Sequence, residues 1–269
     1  MPPLAPDHVI VLAAGFGLRL GLLTAERPKA LVEVGGRTLL EHSLDFAATL
    51  RPREIVVVAG FRHDLVEAHL DRLAMPGVRL VENPAPATGN LGSVEAALPH
   101  VGGSFLLTNC DHVFPAEAAS RIAAGAGDGV TAFCEFERAL EADEMKVALD
   151  ASRRIVRIAK TLSVFDGGYI GLTHVAAGAL PDYRKAVGVA RGRHGDAAVA
   201  EHVLQALADG GHRVHAATFD GIAWSEVDTP ADLARAEARH GAPAKRRTSG
   251  SPGAARPGTP AIRTFAADD

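Results

Sequence analysis

Residues 9–29 constrain the fold of this chain more than any other stretch. Residues 9–12 are apolar and mostly β-branched, which is typical of a buried strand. Residues 13–17 are mostly small, so a ligand can approach their backbone closely. Arg19 and Lys29 follow this small-residue loop. Backbone N–H groups can bind phosphate oxygens while two cations neutralise their charge, so the stretch predicts a polyphosphate site.

Two common phosphate-binding loops do not match this stretch. The dinucleotide fingerprint requires a glycine where Leu20 stands and an acidic residue after the second core strand, which here ends in Ala59 and Gly60. A Walker A loop requires the triplet G-K-[ST], which the sequence does not contain. These differences argue against a dinucleotide-dependent oxidoreductase and against a P-loop NTPase.

Apolar runs alternate with helical patterns along the first half of the chain. The expected strands lie at residues 9–12, 31–34, 55–58, 78–81 and 104–108. Helices are expected after a capping box of Thr38 and Glu41, and at residues 62–73 and 93–98. This alternation predicts an α/β fold, with a Rossmann-like, mixed but mainly parallel sheet and helices on both faces.

The second half of the chain has shorter strands and indicates a small β-rich insertion at about residues 130–195. We expect its strands at residues 130–136, 146–149, 155–159 and 169–172. Two helices are expected at residues 175–187 and 196–208, and a further strand is expected at residues 213–219. A last helix is expected to begin near Thr229 and Pro230.

Two aspartates follow predicted strands and are candidate metal ligands. Asp111 comes directly after the strand at residues 104–108, and Asp228 lies between a strand and the last helix. Ligands bind at the carboxyl ends of parallel strands, so we expect Asp111 and the loop at Gly15 to share one edge of the sheet. Carboxylates are the protein ligands that Mg²⁺ prefers, although an Asp in either place can instead cap a helix.

Composition and charge narrow the classes of partner. Of the 269 residues, 47% are hydrophobic and 22% are charged, as in a soluble globular protein, and no apolar run is long enough to span a membrane. The only cysteines, Cys110 and Cys134, lack metal-ligand spacing and favour a reducing cytoplasm. Residues 241–269 carry five basic and two acidic residues and predict a disordered basic tail; residues 1–240, with the remaining net charge of −7, do not favour nucleic-acid binding.

The pattern L-A-A-G-x-G-x-R-L followed by P-K resembles the signature loop of nucleotidyltransferases that make NDP-sugars and CDP-alcohols. Further segments, between residues 8 and 239, resemble the CTP:inositol-1-phosphate cytidylyltransferases, with phosphocholine and phosphonate cytidylyltransferases as relatives. These segments are 88–90, 111–114, 146–147, 155–160, 166–168 and 227–233. The resemblance implies that residues 1–240 form one nucleotidyltransferase domain.

The resemblance also implies an activity and roles for particular residues. The activity is Mg²⁺-dependent transfer of a nucleoside monophosphate, with CTP favoured, to a phosphorylated polyol such as inositol 1-phosphate, releasing pyrophosphate. The implied catalytic residues are Arg19, Lys29 and Lys160, and the implied Mg²⁺ ligands are Asp111 and Asp228. The implied nucleotide-binding residues are Leu12, Ala13, Ala14, Gly15, Gly17, Thr88, Gly89, Asn90 and Ser93. The implied acceptor-binding residues are Lys146, Lys160 and Asp166; either lysine can instead be a solvated strand residue.

Departures from the family pattern concentrate in the acceptor half, at Glu144, Met145, Ala159, residues 166–169 and Glu226. They leave open another cyclitol or sugar 1-phosphate, phosphocholine or a hydroxyalkylphosphonate as acceptor, with another NTP. A non-catalytic NTP-sensing module is the alternative from a different class. The inositol enzymes are often fused to a membrane-embedded phosphotransferase, of which this sequence shows no sign. We therefore expect a separate enzyme to use the activated product.

Overall fold

A computed structural model describes residues 5–240, so the predicted tail at 241–269 lies outside the described residues. The strands of the described part are β1 His8–Ala13, β2 Glu33–Val34, β3 Arg37–Thr38, β4 Glu54–Ala59, β5 Val78–Glu82, β6 Phe105–Asn109, β7 His112–Val113, β8 Val130–Glu135, β9 Lys146–Leu149, β10 Ile155–Ala159, β11 Gly167–Val175, β12 Val214–Thr218 and β13 Ser225–Glu226. Its α-helices are α1 Leu39–Thr49, α2 His63–Leu73, α3 Leu91–Ala97, α4 Ala118–Gly125, α5 Leu180–His194, α6 Ala200–Asp209 and α7 Pro230–His240.

Nine strands form one mixed sheet, and β1 lies near its centre between β6 and β4. The β1–β4, β1–β6 and β4–β5 pairs are parallel, as is the pair β8–β12. Alternate residues of β1 face opposite sides: Ile10 packs in a core with α3, α5 and α6, whereas Val11 packs with α1, α2 and α4. The predicted fold class, a mixed sheet with helices on both faces, is therefore confirmed.

The strands of the second half extend this sheet. β11 pairs antiparallel with β6, β8 and β9, which joins the two halves of the molecule through one strand. Because β11 is nine residues long and continues to Val175, the following helix begins at Leu180, later than the predicted start at 175. The helix α4 was not predicted from the sequence.

Local patterns near the N-terminal loop are mostly confirmed. Thr38 accepts a hydrogen bond from the Glu41 backbone while the Glu41 side chain accepts one from Thr38, which is the predicted capping box of α1. The strand predicted at residues 31–34 is shorter, because Lys29–Leu31 form a 3-10 turn before β2. Among residues 5–240, no helix has the length and apolar character needed to cross a membrane.

Candidate active site

The carboxyl ends of β1 and β6 form the floor of two adjoining cavities. The smaller cavity, of about 190 Å³, lies between the loop after β1 and the start of α3. The larger, of about 990 Å³, opens toward β11, α6 and the segment before α7. Asn109, the last residue of β6, lines both cavities. The arrangement offers two neighbouring compartments that meet where β6 ends.

The small-residue loop packs tightly onto Lys29. Gly17 has a φ of +70°, and a Cβ at this position would lie 2.8 Å from the Cβ of Lys29, so the loop requires glycine here. Thr24 fixes the same turn, since its Oγ1 donates a hydrogen bond of 2.8 Å to the Gly17 carbonyl. At Gly15 an added Cβ would meet no atom within 4 Å, and this residue lines the smaller cavity.

Lys29 joins the two predicted metal ligands, which lie far apart in the sequence. Its ammonium contacts Asp111 Oδ2 at 2.6 Å and also bonds Asp228 Oδ1. Lys29 is buried, and burial alone would lower the pKa of its ammonium, but the carboxylates of Asp111 and Asp228 raise that pKa well above its usual range. The ammonium is therefore a permanent positive charge at the junction of the cavities.

The opposite shift occurs at Asp111. Burial tends to raise the pKa of this carboxyl, but the neighbouring charges of Lys29 and His112 outweigh burial and hold the pKa well below its usual range. Arg19 extends the network, since its guanidinium bonds Asp228 Oδ2 and approaches Asp143 Oδ2 at 3.4 Å. Four of the predicted residues thus form one continuous chain of opposite charges.

One carboxylate oxygen of this network lacks a well-aligned hydrogen bond. Asp111 Oδ1 is buried and, within residues 5–240, takes part in no hydrogen bond, although His112 Nδ1 lies 2.8 Å away. Single ligand atoms of Asp111, His112 and Glu226 lie within 4.8 Å of one another. Carboxylate oxygens of Asp111 and Glu226 this close together suit a hard divalent cation with oxygen ligands, so the residues present fit Mg²⁺.

A family model and several known proteins match this chain. The model of the MobA-like NTP transferase domain matches residues 9–213, about three quarters of the chain. The chain belongs to this family. A "Bifunctional IPC transferase and DIPP synthase" of Rubrobacter xylanophilus is 38% identical over 84% of the chain, and a namesake in Thermococcus kodakarensis is 26% identical over 87%. A "CMP-5'-(3-aminopropyl)phosphonate synthase" of Streptomyces rubellomurinus is 30% identical over 90% of the chain.

The chain spans only part of these relatives, covering 50%, 50% and 40% of their own lengths. Among solved structures, the inositol-1-phosphate CTP transferase from T. maritima matches with a TM-score of 0.73 at 24% identity, over 88% of this chain and 98% of that one. The CTP:phosphocholine cytidylyltransferase from Streptococcus pneumoniae matches with a TM-score of 0.68 at 19% identity, over 87% and 99%. These two structures share the fold of this NTP transferase domain.

Most predicted nucleotide-binding residues of the NTP transferase domain surround the smaller cavity. The lining includes Leu12, Ala14, Gly15, Thr88, Asn90 and Ser93. Ala13 is fully buried, and Gly89 faces the loop before α6. Sequence reasoning missed Asn83, which lines the same cavity and donates a hydrogen bond of 3.0 Å to Ser93 Oγ. Its position directly after β5, at the binding edge of the sheet, was the signal that could have identified it.

Of the three residues predicted to bind the acceptor, Lys160 lines the larger cavity, whereas Lys146 and Asp166 do not. Lys160 is exposed, lines the larger cavity and takes part in no salt bridge within the described residues. Lys146 is buried, and its ammonium donates to the carbonyls of residues 141, 142, 144 and 160 at distances of 3.0–3.2 Å. The contact of Lys146 with the acceptor stays a prediction, and in this structure backbone carbonyls occupy its ammonium. Asp166 lies outside both linings and accepts a hydrogen bond of 2.7 Å from the Leu149 N–H.

The larger cavity contains further residues besides those predicted to bind the acceptor. Trp224 Nε1 donates a hydrogen bond of 3.0 Å to Glu135, which also pairs with Arg138. Gly171 has a φ of +74°, and a Cβ there would lie 2.9 Å from Asn109 Nδ2. Glu226 lies near Asp111, and partial burial together with the carboxylates of Asp111 and Asp228 raises its pKa. All these residues are brought together by long-range strand pairing.

Proposed function

We propose that this protein transfers a nucleoside monophosphate, CMP from CTP, to the phosphate of a phosphorylated polyol such as inositol 1-phosphate. The products are a CDP-polyol and pyrophosphate, and we propose the cytoplasm as the place of reaction. Family membership supports nucleotidyl transfer, and the names of the relatives support cytidylyl transfer to a phosphorylated or phosphonylated small molecule.

One observation supports this function most strongly, namely the Lys29 ammonium between Asp111 and Asp228 at the junction of the cavities. The smaller cavity suits a nucleotide, since its wall combines the small-residue loop with short polar side chains. The larger cavity suits the acceptor, and Lys160 and Arg19 can bind its phosphate there. An attacking phosphate oxygen and the α-phosphorus would then meet beside Lys29.

The chemistry requires charge neutralisation more than proton transfer. An acceptor phosphate monoester, with a second pKa of roughly 6, is already mostly ionised at neutral pH, so no general base is needed. Lys29 and Arg19 would reduce the repulsion between the two anions and stabilise the charge that develops on the leaving pyrophosphate. Asp111 and Asp228 would hold Mg²⁺, which when bound supplies further neutralisation of the triphosphate.

The test also includes a phosphonate as a second class of acceptor, because the Streptomyces relative is named as a phosphonate synthase. A phosphonate dianion presents the same attacking oxygens, so the residues around Lys29 would act in the same way on it. Only the groups that face the rest of the acceptor, in the larger cavity, would need to differ.

The names of the two IPC transferase relatives join two activities in one protein. We assign the nucleotidyl transfer to this chain, and we propose that a synthase which consumes the CMP-activated product acts as its functional partner. The proposed partners are therefore the NTP, the phosphorylated alcohol and this second enzyme, and no nucleic acid is among them.

The test is pyrophosphate release with Mg²⁺, in which CTP, UTP, GTP and ATP are each combined with inositol 1-phosphate, glucose 1-phosphate, phosphocholine and 2-hydroxyethylphosphonate. We expect release with CTP and inositol 1-phosphate. Release with a different pair would retain nucleotidyl transfer and change the substrates. No release from any pair, with CTP still bound, would favour the NTP-sensing alternative.

Metal dependence has a readout besides turnover. We expect Mn²⁺, used as a paramagnetic substitute for Mg²⁺, to bind in the presence of CTP, and Asp111→Asn to weaken this binding by at least about tenfold because it removes one ligand charge. Glu67→Asn, on the exposed face of α2, is the control. Equal Mn²⁺ binding by wild type and Asp111→Asn would contradict the assignment of Asp111.

A further inference from the structure

Glu201 lines the acceptor side of the cleft, and within residues 5–240 no other residue pairs with its carboxylate. It lies in the first turn of α6 and lines the larger cavity together with Lys160, Tyr169 and Gly171. Within residues 5–240 no other residue forms a hydrogen bond or salt bridge with its carboxylate, which is hydrogen-bonded to its own backbone N–H. Burial raises the pKa of this carboxyl. A partly buried acid without another residue as partner is costly, so a ligand group that hydrogen-bonds to it would be stabilised there.

The backbone that carries Glu201 is fixed against the nucleotide wall. The Ala200 N–H donates to Asn90 Oδ1 at 2.8 Å, and the Gly89 N–H donates to the Asp196 carbonyl at 2.7 Å. A Cβ at Gly89 would lie 2.1 Å from the Ala198 carbonyl oxygen, so the two segments touch. The start of α6 therefore cannot shift independently of the segment that lines the nucleotide cavity.

A second contact fixes α6 relative to Lys160. The Ile158 N–H of β10 donates a hydrogen bond of 2.9 Å to Gln205 Oε1, one turn further along α6. Lys160 follows the end of β10 directly, so its position and that of Glu201 are set by the same contact. One cavity thus holds a cation and an acid at fixed places, which suits a ligand with an anionic end and a hydrogen-donating end.

The aromatic residues of the larger cavity indicate what kind of group the hydrogen-donating end of the ligand carries. Tyr169 is only 8% exposed, and its hydroxyl is hydrogen-bonded to Thr173 at 2.7 Å. Trp224 stacks on His112 with ring centroids 5.1 Å apart, so one of its faces is already covered. Recognition of a quaternary ammonium relies on open aromatic faces. A carboxylate beside a nearly buried tyrosine and a tryptophan with one face covered suits hydroxyl groups.

We propose that Glu201 determines the acceptor class by accepting hydrogen bonds from ring hydroxyls of a polyol phosphate whose phosphate lies toward Lys160. This inference rests on the proposed nucleotidyl transfer and extends it from the reacting phosphate to the remainder of the acceptor. Glu201 is a specificity-determining contact and takes no part in the bond changes at phosphorus.

The test compares inositol 1-phosphate with its mono-deoxy analogues, with CTP as donor, in wild type and in the variants Glu201→Gln and Glu201→Ala. Glu67→Gln removes the same charge from the exposed face of α2 and is the matched control. In wild type we expect at least one deoxy analogue to lose about tenfold or more in kcat/KM, the size expected for a lost charge-assisted hydrogen bond. In Glu201→Ala we expect the KM for inositol 1-phosphate to rise by about tenfold or more. In the same variant, the loss of kcat/KM caused by removing that hydroxyl should nearly vanish.

A purely structural role for Glu201 would not produce this pattern. Glu201→Gln is nearly isosteric, and we expect an intermediate penalty with an unchanged KM for CTP and an unchanged unfolding midpoint. An unchanged penalty in Glu201→Ala, or an equal rise in the KM for CTP, would overturn the inference. Transfer by wild type to phosphocholine or 2-hydroxyethylphosphonate alone would overturn the inference but retain nucleotidyl transfer. No release with any acceptor would remove the proposed function and, with it, this inference.

Discussion

At the scale of single residues, two buried lysines of this chain contact different kinds of group. Lys29 pairs with the carboxylates of Asp111 and Asp228, whereas Lys146 donates to backbone carbonyls only. Both are buried, with 6% of each residue exposed. An ammonium among carboxylates at a cavity junction can act on a substrate, but one enclosed by carbonyls stabilises the loop around it.

Replacing Lys29 tests whether its ammonium acts on the substrate. We expect Lys29→Met to lower kcat/KM by about a hundredfold or more, because the variant loses a preorganised charge beside the developing negative charge of the leaving group. Steady-state pyrophosphate release measures the change. Lys185→Met, which removes an exposed lysine of α5, is the control. A loss of less than about threefold in Lys29→Met would contradict a role for Lys29 in the reaction.

Replacing Lys146 tests whether its ammonium stabilises the loop around it. We expect Lys146→Met to lower the free energy of unfolding by about 3 kcal/mol, because buried carbonyls lose their donor. Urea denaturation gives this value, and Lys160→Met, the exposed counterpart, should change stability little while raising the KM for the acceptor. Unchanged stability of Lys146→Met together with a raised acceptor KM would support the contact predicted from the sequence.

At the scale of elements, the start of α7 positions a predicted metal ligand. Asp232 Oδ2 accepts hydrogen bonds from the backbone N–H groups of Asp228 and Thr229, and Thr229 Oγ1 accepts one from the Asp232 N–H. These reciprocal bonds form a helix N-cap, and the residue just before it is Asp228. The cap therefore sets the backbone from which the Asp228 carboxylate reaches Lys29.

We expect Asp232→Ala to cost about 1 kcal/mol of stability, as for other lost N-caps, and to lower kcat by about tenfold, because Asp228 loses its backbone anchor. Thermal unfolding and pyrophosphate release measure the two effects. Glu237→Ala, on the exposed face of the same helix, serves as the control. If kcat stayed at the wild-type value while stability fell, the cap would have no part in positioning Asp228.

At the scale of the whole molecule, β11 joins both halves of the sheet and contains a buried histidine. His174 is 1% exposed and stands opposite Leu106 of β6 and Thr131 of β8. Neither of its ring nitrogens has a hydrogen-bond partner within the described residues. Burial lowers the pKa of His174 to about 4, from the ordinary value of 6.5. The fold therefore favours the neutral ring.

The free energy of unfolding depends on pH because the pKa of His174 differs between the folded and the unfolded chain. The contribution of neutral His174 is fully present above pH 6.5 and is lost as the pH falls from 6.5 toward 4, because only the unfolded chain readily takes up the proton. We expect wild type to lose about 2–3 kcal/mol more than His174→Leu between pH 7.5 and pH 4.5. Urea denaturation at both pH values measures the difference. Parallel losses in the two proteins would show that His174 is not the group responsible.

The sequence by itself determined the features that depend on short-range patterns. The strand at residues 9–12, the loop that follows it and the capping box at Thr38 result from local composition and hydrogen bonding, and the structure contains all of them. The rule that ligands bind at the carboxyl ends of parallel strands placed Gly15 and Asp111 on one edge, where the structure also has them.

The tertiary structure alone decided which side chains meet and which way they face. Periodicity gave β9 correctly but not the enclosure of the Lys146 ammonium, because that depends on the path of the preceding loop. The sequence likewise gave a helix near residue 201 without its direction, since docking of α6 against Asn90 and β10 turns Glu201 into the cleft. Local patterns fix elements through neighbouring backbone bonds, whereas the site depends on contacts between residues far apart in the sequence, such as Lys29 with Asp111, 82 positions away, and with Asp228, 199 positions away.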